Sequence, residues 1–157
     1  MKTKIKILSL IFIFPSLVLA SCTNDGSSLT IEKINLDQAD YVAEIIEINN
    51  EGYTAKIDNQ NSFVLYVYSS SCSLCNQFTP MIQTVSTELD IRIYKETYTE
   101  SAKNENLHSI AKYAPYVLIF KDGVYYTGLD STSDSDEEYF YSQSKLNWWF
   151  TQLINLN

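Results

Sequence analysis

The sequence predicts an α/β fold in which a mixed central sheet carries helices on both faces. Strand-like runs rich in β-branched and aromatic residues alternate with segments of helical periodicity, in the order β-α-β-α-β-α-β-β-α. The run Phe63–Tyr68 is apolar at both alternating positions, which is typical of a strand covered on both faces. Asp122-Gly123 is a strong hairpin signal, so we expect an antiparallel pair at one edge of the sheet.

Each predicted element rests on its own pattern of apolar residues. The predicted elements are strands at 45–48, 63–68, 91–97, 116–120 and 124–127, and helices at 51–59, 75–89, 101–113 and from 139 onward. Asn50 is the expected N-cap of the first helix. Strands joined by helices are expected to pair in parallel. Residues 29–40 fit neither period, and residues 130–138, rich in acidic residues and serine, are expected to form an exposed loop.

The composition limits the function classes. A length of 157 residues suggests one domain, and 45% hydrophobic with 19% charged residues excludes a disordered or fibrous chain. From Cys22 onward the chain has 8 basic and 19 acidic residues, a net charge of −11. Such an acidic body repels phosphate backbones, so we expect no nucleic-acid partner.

The N-terminus has the pattern of a secretory signal. Lys2, Lys4 and Lys6 precede an apolar stretch over 7–19. This stretch is shorter than the roughly 20 residues that a membrane span requires, and it fits the roughly 7–15 apolar residues of a signal peptide. We therefore expect the first part of the chain to direct export.

The residues that follow, Leu19-Ala20-Ser21-Cys22, resemble the bacterial lipoprotein signal. The resemblance implies that Cys22 is acylated and that the mature protein is extracytoplasmic and lipid-anchored to a bacterial membrane, a location that permits disulfides. Residues 1–21 are then a lipoprotein signal peptide, 22–40 a tether and N-terminal extension, and 41–157 the folded domain. Ordinary cleavage after Ala20, which would leave Cys22 as a free thiol, is the alternative.

The cysteine pair Cys72-Ser73-Leu74-Cys75 lies where a predicted strand passes into a predicted helix. A helix N-terminus favours an anion, so the thiol of Cys72 is expected to have a lowered pKa and to act as a nucleophile. Cys75, one turn later, can attack a mixed disulfide on Cys72. Two alternatives are a zinc site, for which the chain offers only His108 as a further soft ligand, and a purely structural disulfide. His108 itself is expected to be a solvated helix residue.

The segment 63–126 and the whole order of elements resemble the thioredoxin superfamily. The resemblance rests on the cysteine motif, on Pro80 five residues after it, and on the run that begins Ala114-Pro115-Tyr116. It implies a thiol-disulfide oxidoreductase with Cys72 and Cys75 as catalytic residues and no metal or cofactor. It also implies a cis peptide bond before Pro115, with Ala114 and Pro115 binding extended substrate. The implied partners are protein thiols and disulfides and an unidentified redox partner.

The chain departs from the family pattern at two positions. Ser71 stands where thioredoxins usually have Trp, and Tyr66 stands where they have a buried carboxylate that serves proton transfer at the second cysteine. Lys95 falls near a lysine position of the family. The sequence as a whole, though no single motif, is similar to small extracytoplasmic thioredoxin-like proteins of Gram-positive bacteria, including bacteriocin-transport accessory proteins. The departures favour an alternative function, a redox-inert binding or accessory lipoprotein that keeps the fold.

Overall fold

The computed structural model describes residues 32–156. The strands are β1 (Glu44–Glu47), β2 (Phe63–Tyr68), β3 (Arg92–Thr97), β4 (Tyr116–Lys121) and β5 (Val124–Asp130). The helices are α1 (Asn50–Asp58), α2 (Ser73–Leu89), α3 (Tyr98–Ser101), α4 (Glu105–Ile110), α5 (Glu137–Tyr141) and α6 (Gln143–Leu153). A short 3-10 helix over Gln38–Asp40 precedes β1. The five strands form one sheet in the order β1-β3-β2-β4-β5.

The sheet is mixed, as the sequence predicts. Strand β3 pairs in parallel with both β1 and β2, whereas β4 pairs antiparallel with β2 and β5 pairs antiparallel with β4. The expectation that every helix-linked strand pairs in parallel is therefore wrong for β4. Strand β3 ends beside Tyr68, and β4 begins beside Val67. Both points lie at the same end of the strands, so the connection from β3 to β4 does not cross the length of the sheet. It contains two short helices, α3 and α4, in place of the single helix predicted over 101–113.

Two further element boundaries differ from the prediction. Helix α1 is capped by Asn49 rather than Asn50, since the Asn49 side chain accepts a hydrogen bond from the backbone N–H of Gly52 at 3.0 Å. The closing helix is divided into α5 and α6 at Ser142, which caps α6. The hairpin between β4 and β5 is as predicted, with positive φ at Asp122 (51°) and Gly123 (74°).

The core has two parts, one on each face of the sheet, because consecutive residues of β2 point in opposite directions. One part packs sheet residues against α2 and α6: Val64, Tyr66, Ile93, Val117, Ile119, Phe78, Ile82, Val85, Leu146 and Phe150. The other packs sheet residues against α1 and α4: Phe63, Leu65, Val67, Tyr94, Leu118, Phe120, Tyr53 and Leu107. The predicted burial of β2 on both faces is confirmed.

Part of the predicted N-terminal extension packs against the domain. Ile34 exchanges two backbone hydrogen bonds of 2.8 Å with the chain near Ile154, at Leu153 and Asn155. Asp40 is buried and accepts hydrogen bonds from the Tyr94 hydroxyl at 2.7 Å and from Arg92 at 3.0 Å. Residues 32–40 are therefore tied to the body at both ends.

The predicted signal peptide, the start of the tether and the predicted lipidation residue Cys22 lie outside the described residues. Over residues 32–156, no helix combines the length and the apolar character that crossing a membrane requires.

Candidate active site

Cys72 and Cys75 form a disulfide at the start of α2, with their Cα atoms 5.2 Å apart. A tight turn after β2 places Cys72 there, since its backbone N–H donates to the carbonyl of Ser69 at 3.2 Å. Cys72 is the N-cap of α2, and its Sγ atom accepts a hydrogen bond from the backbone N–H of Cys75 at 3.0 Å. One free N–H group of the first helical turn, that of Cys75, therefore points at the sulfur of Cys72, where it and the helix N-terminus would stabilise a thiolate.

The two cysteines differ in their exposure to solvent. Cys72 is half-buried, whereas only 1% of Cys75 is exposed. An incoming thiol or disulfide can therefore reach Cys72 while Cys75 is shielded behind it. This asymmetry is what two-step exchange requires, because one sulfur must meet the substrate and the other must meet only its neighbour.

The loop before β4 completes the site. The peptide bond between Ala114 and Pro115 is cis, and the Sγ atom of Cys72 lies 3.5 Å from the carbonyl oxygen of Ala114. Pro115 is buried and Ala114 is half-buried. The structure thus brings together Cys72, Cys75, Ala114 and Pro115, the four residues that the sequence assigns to this site.

Tyr66 lies behind the buried cysteine, at the position where the family carries a carboxylate. Its hydroxyl is 3.1 Å from Oγ1 of Thr79 and 3.5 Å from the carbonyl oxygen of Cys75. Burial raises the pKa of Tyr66, and the hydrogen bond with Thr79 opposes that rise in part. The group beside Cys75 is therefore a neutral hydroxyl, and sequence reasoning did not identify the contribution of Thr79.

Lys95, on β3, contacts side chains of the two neighbouring strands, β1 and β2. Its Nζ atom lies 4.4 Å from the centre of the Tyr68 ring and 3.9 Å from a carboxylate oxygen of Glu47. The Tyr68 hydroxyl donates to Glu47 at 2.7 Å. Desolvation and the nearby Glu47 raise the pKa of Tyr68 to about 12. Lys95, Tyr68 and Glu47 therefore form a cluster of their own at the end of β2.

A pocket of about 170 Å³ opens beside Leu74, the residue that precedes Cys75. Its other walls are residues 131–134, Glu137, Phe140 and Tyr141. The acidic loop predicted from the sequence therefore lies next to the cysteine motif, which the sequence alone did not reveal. Two carboxylates, those of Asp134 and Glu137, line this pocket.

Glu96 is a buried carboxylate that sequence reasoning also missed. It is 0% exposed, and within residues 32–156 neither of its carboxylate oxygens has a hydrogen-bond partner. Desolvation, with a smaller contribution from Glu100, raises the pKa of Glu96 to about 7. Glu96 follows Tyr94 by two positions on β3, so it faces α1 and α4, on the opposite side of the sheet from Tyr66.

His108 lies in helix α4, as predicted, but it is half-buried against Tyr98, with ring centres 5.8 Å apart, and so is less exposed to solvent than expected. Helix α4 packs against the sheet through Leu107, and the adjacent residue His108 is partly buried as a result. Over the range 32–156, no group of three or more His, Cys, Asp or Glu side chains is arranged to hold a metal ion.

Comparisons with known proteins agree with this geometry. The family model described as Thioredoxin matches residues 44–138. No curated protein matches the chain.

Solved structures share the fold at low sequence identity. A mutant thioredoxin from Halobacterium salinarum NRC-1 is 18% identical, with a TM-score of 0.53 over 73% of this chain and 95% of that one. Oxidized thioredoxin O2 from Arabidopsis thaliana is 18% identical, with a TM-score of 0.51 over 72% and 96%. Thioredoxin from Trypanosoma brucei brucei is 13% identical, with a TM-score of 0.50 over 73% and 97%.

Proposed function

The chain belongs to the thioredoxin family, and we propose from this that it exchanges disulfides with protein substrates through Cys72 and Cys75. One observation carries the proposal: the half-buried Cys72, at a helix N-terminus, is bonded to the buried Cys75, and its sulfur lies 3.5 Å from the carbonyl oxygen of Ala114. A structural disulfide that closes so short a loop would constrain the unfolded chain little.

The proposed exchange has two steps. In the reductive direction, the Cys72 thiolate attacks one sulfur of a substrate disulfide, forms a mixed disulfide, and releases one substrate thiolate that takes a proton from solvent. The Cys75 thiol then loses its proton, and its thiolate attacks the Cys72 sulfur. The second substrate thiolate leaves and takes up a proton, and the Cys72–Cys75 disulfide remains. The substrate gains two electrons and two protons, and a dithiol reductant returns them to the pair. The oxidative direction runs the same steps in reverse.

Ala114 and Pro115 are proposed to bind the substrate backbone beside the cysteines. The carbonyl oxygen of Ala114 faces the sulfur of Cys72, so an extended segment that reaches this sulfur passes along Ala114. The Pro115 ring that follows is buried, which anchors this part of the loop to the domain. Backbone pairing at this position would hold many different sequences, because main-chain hydrogen bonds do not depend on side chains.

We also propose that the protein is a lipoprotein anchored through Cys22 on the extracytoplasmic side of a bacterial membrane. The support is the basic start, the apolar stretch and the sequence Leu19-Ala20-Ser21-Cys22. Metabolic labelling with a fatty acid in a bacterial host tests this. The wild-type chain is expected to carry label and sediment with membranes, whereas Cys22→Ser is expected to lose the label. Equal labelling of the two chains would contradict the proposal.

The exchange activity is tested with the full-length protein in detergent, using reduction of insulin by dithiothreitol as the assay. We expect turnover by the wild type, none by Cys72→Ser, and unchanged turnover by Cys22→Ser, which replaces a cysteine outside the pair. If all three proteins behave alike, the exchange function is wrong.

The neutral hydroxyl beside Cys75, at the position where the family carries a carboxylate, favours a second candidate, an accessory module that binds partners through this fold without redox chemistry. This candidate predicts partner capture that is unaffected by the double substitution Cys72→Ser/Cys75→Ser. The exchange function predicts that a partner trapped covalently by Cys75→Ser is lost when Cys72 is also replaced.

A further inference from the structure

The hydroxyl of Tyr66 is enclosed in the protein with only two polar contacts. Tyr66 is 0% exposed, and within residues 32–156 its oxygen meets only Oγ1 of Thr79, at 3.1 Å, and the carbonyl oxygen of Cys75, at 3.5 Å. Thr79 also contacts this carbonyl, because its Oγ1 atom lies 2.7 Å from the Cys75 oxygen. Both hydroxyls therefore converge on the backbone of the buried cysteine.

The direction of these hydrogen bonds follows from counting hydrogens. A carbonyl oxygen only accepts, so the short 2.7 Å contact requires Thr79 to donate its single hydroxyl hydrogen to Cys75. The Thr79 oxygen can then only accept in its contact with Tyr66, so Tyr66 donates to Thr79. The result is one directed chain, from Tyr66 through Thr79 to the Cys75 carbonyl. Burial raises the pKa of Tyr66, so the hydrogen that begins the chain stays in place.

Tyr66, the residue that begins this chain of hydrogen bonds, is firmly held by the sheet. Tyr66 lies in the middle of β2, paired with Lys95 of β3 on one side and with Val117 of β4 on the other. Its ring also packs edge-on against Phe78, with ring centres 5.7 Å apart. The chain therefore ties the first turn of α2 to the central strands of the sheet.

The first turn of α2 has a particular need for this tie. Pro80 lies inside the helix and has no N–H, so the carbonyl of Asn76 lacks its helical donor one residue after Cys75. In the oxidised protein the disulfide also holds Cys75 in place. Once the pair is reduced, or Cys72 is joined to a substrate, that bond is gone.

We propose that Tyr66, acting through Thr79, is the positioning residue that holds Cys75 where its sulfur can attack the mixed disulfide on Cys72. This inference rests on the proposed exchange function and deepens it. In the step concerned, the Cys75 thiolate forms the bond to the Cys72 sulfur while the substrate thiolate leaves. Tyr66 and Thr79 gain and lose no proton in that step. They act before it, on the geometry of the attacking residue.

The test is a single-turnover experiment on the full-length protein in detergent. Reduced protein is mixed with oxidised glutathione, quenched with acid at intervals, and the mixed disulfide is measured by mass spectrometry. Tyr66→Phe keeps the ring and removes the hydroxyl. It is expected to lengthen the lifetime of the mixed disulfide about tenfold, which corresponds to the loss of roughly one hydrogen bond. The alkylation rate of Cys72 by iodoacetamide is expected to stay unchanged.

Matched variants separate positioning from a general loss of structure. Thr79→Val is expected to reproduce the effect of Tyr66→Phe, and Thr79→Ser, which keeps the hydroxyl, is expected to restore the wild-type lifetime. The double variant Tyr66→Phe/Thr79→Val is expected to be no slower than either single variant, because both interrupt one chain. Tyr68→Phe removes a hydroxyl of the same strand that bonds to Glu47 instead, and is expected to leave the lifetime unchanged.

The results that overturn the inference are distinct from those that overturn the exchange function. A wild-type lifetime in Tyr66→Phe, additive effects in the double variant, or failure of Thr79→Ser to restore the lifetime would each overturn the positioning role. If Tyr66→Phe does not fold, the Thr79 pair decides alone. A wild-type protein that forms neither the mixed disulfide nor the Cys72–Cys75 disulfide with oxidised glutathione, by contrast, would overturn the exchange function itself.

Discussion

The sulfur of Cys72 lies 3.5 Å from the carbonyl oxygen of Ala114, a residue 42 positions later in the chain. The pairing of β2 with β4 brings them together, because Val67 near the end of β2 lies opposite Tyr116 at the start of β4. The loop that follows one strand therefore meets the loop that precedes the other. This meeting point, at one edge of the sheet, is the proposed site of exchange.

The position of Cys72 at the N-terminus of α2 leads to a prediction about its thiol. In the reduced protein we expect its pKa to lie below the roughly 8.5 of a free cysteine, because the helix N–H groups stabilise the thiolate. The pH dependence of iodoacetamide alkylation measures it, in a Cys22→Ser/Cys75→Ser background in which Cys72 is the only thiol. A midpoint at or above the free-cysteine value would contradict the role of the helix N-terminus.

Glu96 predicts a pH-dependent stability that is unrelated to the cysteines. Burial raises its pKa in the folded protein to about 7, above its ordinary value, with Glu100 contributing and Lys103 opposing. The folded state thus binds the proton more tightly than the unfolded state. The stability that this provides is complete at acid pH and is lost as pH rises through about 7, by up to about 3 kcal/mol.

The substitution Glu96→Gln removes this titration and nearly preserves the shape of the side chain. Denaturant unfolding is expected to show the variant more stable than the wild type at pH 8 and nearly equal to it at about pH 4, below the ordinary pKa of a glutamate. Tyr53, whose pKa Glu96 helps to raise to about 12, stays neutral throughout this range. A stability difference that does not change with pH would show that Glu96 is ionised, or equally solvated, in both states.

The pocket beside Leu74 predicts a preference for the charge of the substrate. Asp134 and Glu137 line it, so peptides with a basic residue next to their disulfide are expected to react a few times faster than acidic ones at low salt. Asp134→Asn/Glu137→Gln is expected to remove most of the difference. Glu138→Gln is the control, because that carboxylate pairs with Lys145 and does not line the pocket. Equal rates for the two peptides at low salt would refute the preference.

Gly123 predicts a stability effect at the β4–β5 hairpin. Its φ is +74°, and a Cβ atom there would lie 2.6 Å from the carbonyl oxygen of Ile57. Gly123→Ala is therefore expected to cost roughly 1–3 kcal/mol in the free energy of unfolding. Gly52→Ala in α1, where φ is not positive and the nearest atom is 3.3 Å away, is expected to cost less. Thermal or denaturant unfolding of the two variants compares them directly.

Local sequence signals predicted those parts of the fold that local chemistry determines. The strand Phe63–Tyr68 is confirmed residue for residue, because its β-branched and aromatic side chains suit burial on both faces. The hairpin at Asp122-Gly123 is confirmed because few residue pairs accept two positive φ angles in succession. The cysteine pair was assigned to a helix start, and Cys72 caps α2.

Long-range pairing was less accessible to sequence reasoning. Nothing within the segment 98–115 shows that it stays at one edge of the sheet, so the antiparallel pairing of β4 was not foreseen. The same holds for side chains whose roles depend on distant neighbours. Thr79 is an ordinary helix residue until β2 brings the Tyr66 hydroxyl to it, and Glu96 is an ordinary strand glutamate until α1 and the α3–α4 segment exclude water from it.

The central claim, that Cys72 and Cys75 are a reversible redox pair, is tested most directly by a redox titration of the full-length protein. The protein is equilibrated at a series of dithiothreitol ratios, its free thiols are alkylated, and the products are separated by mass. We predict that two thiols appear together in one two-electron transition, at a potential between roughly −270 and −120 mV. A pair whose reduction potential lies below about −300 mV would be a structural disulfide, and this result would contradict the proposed function.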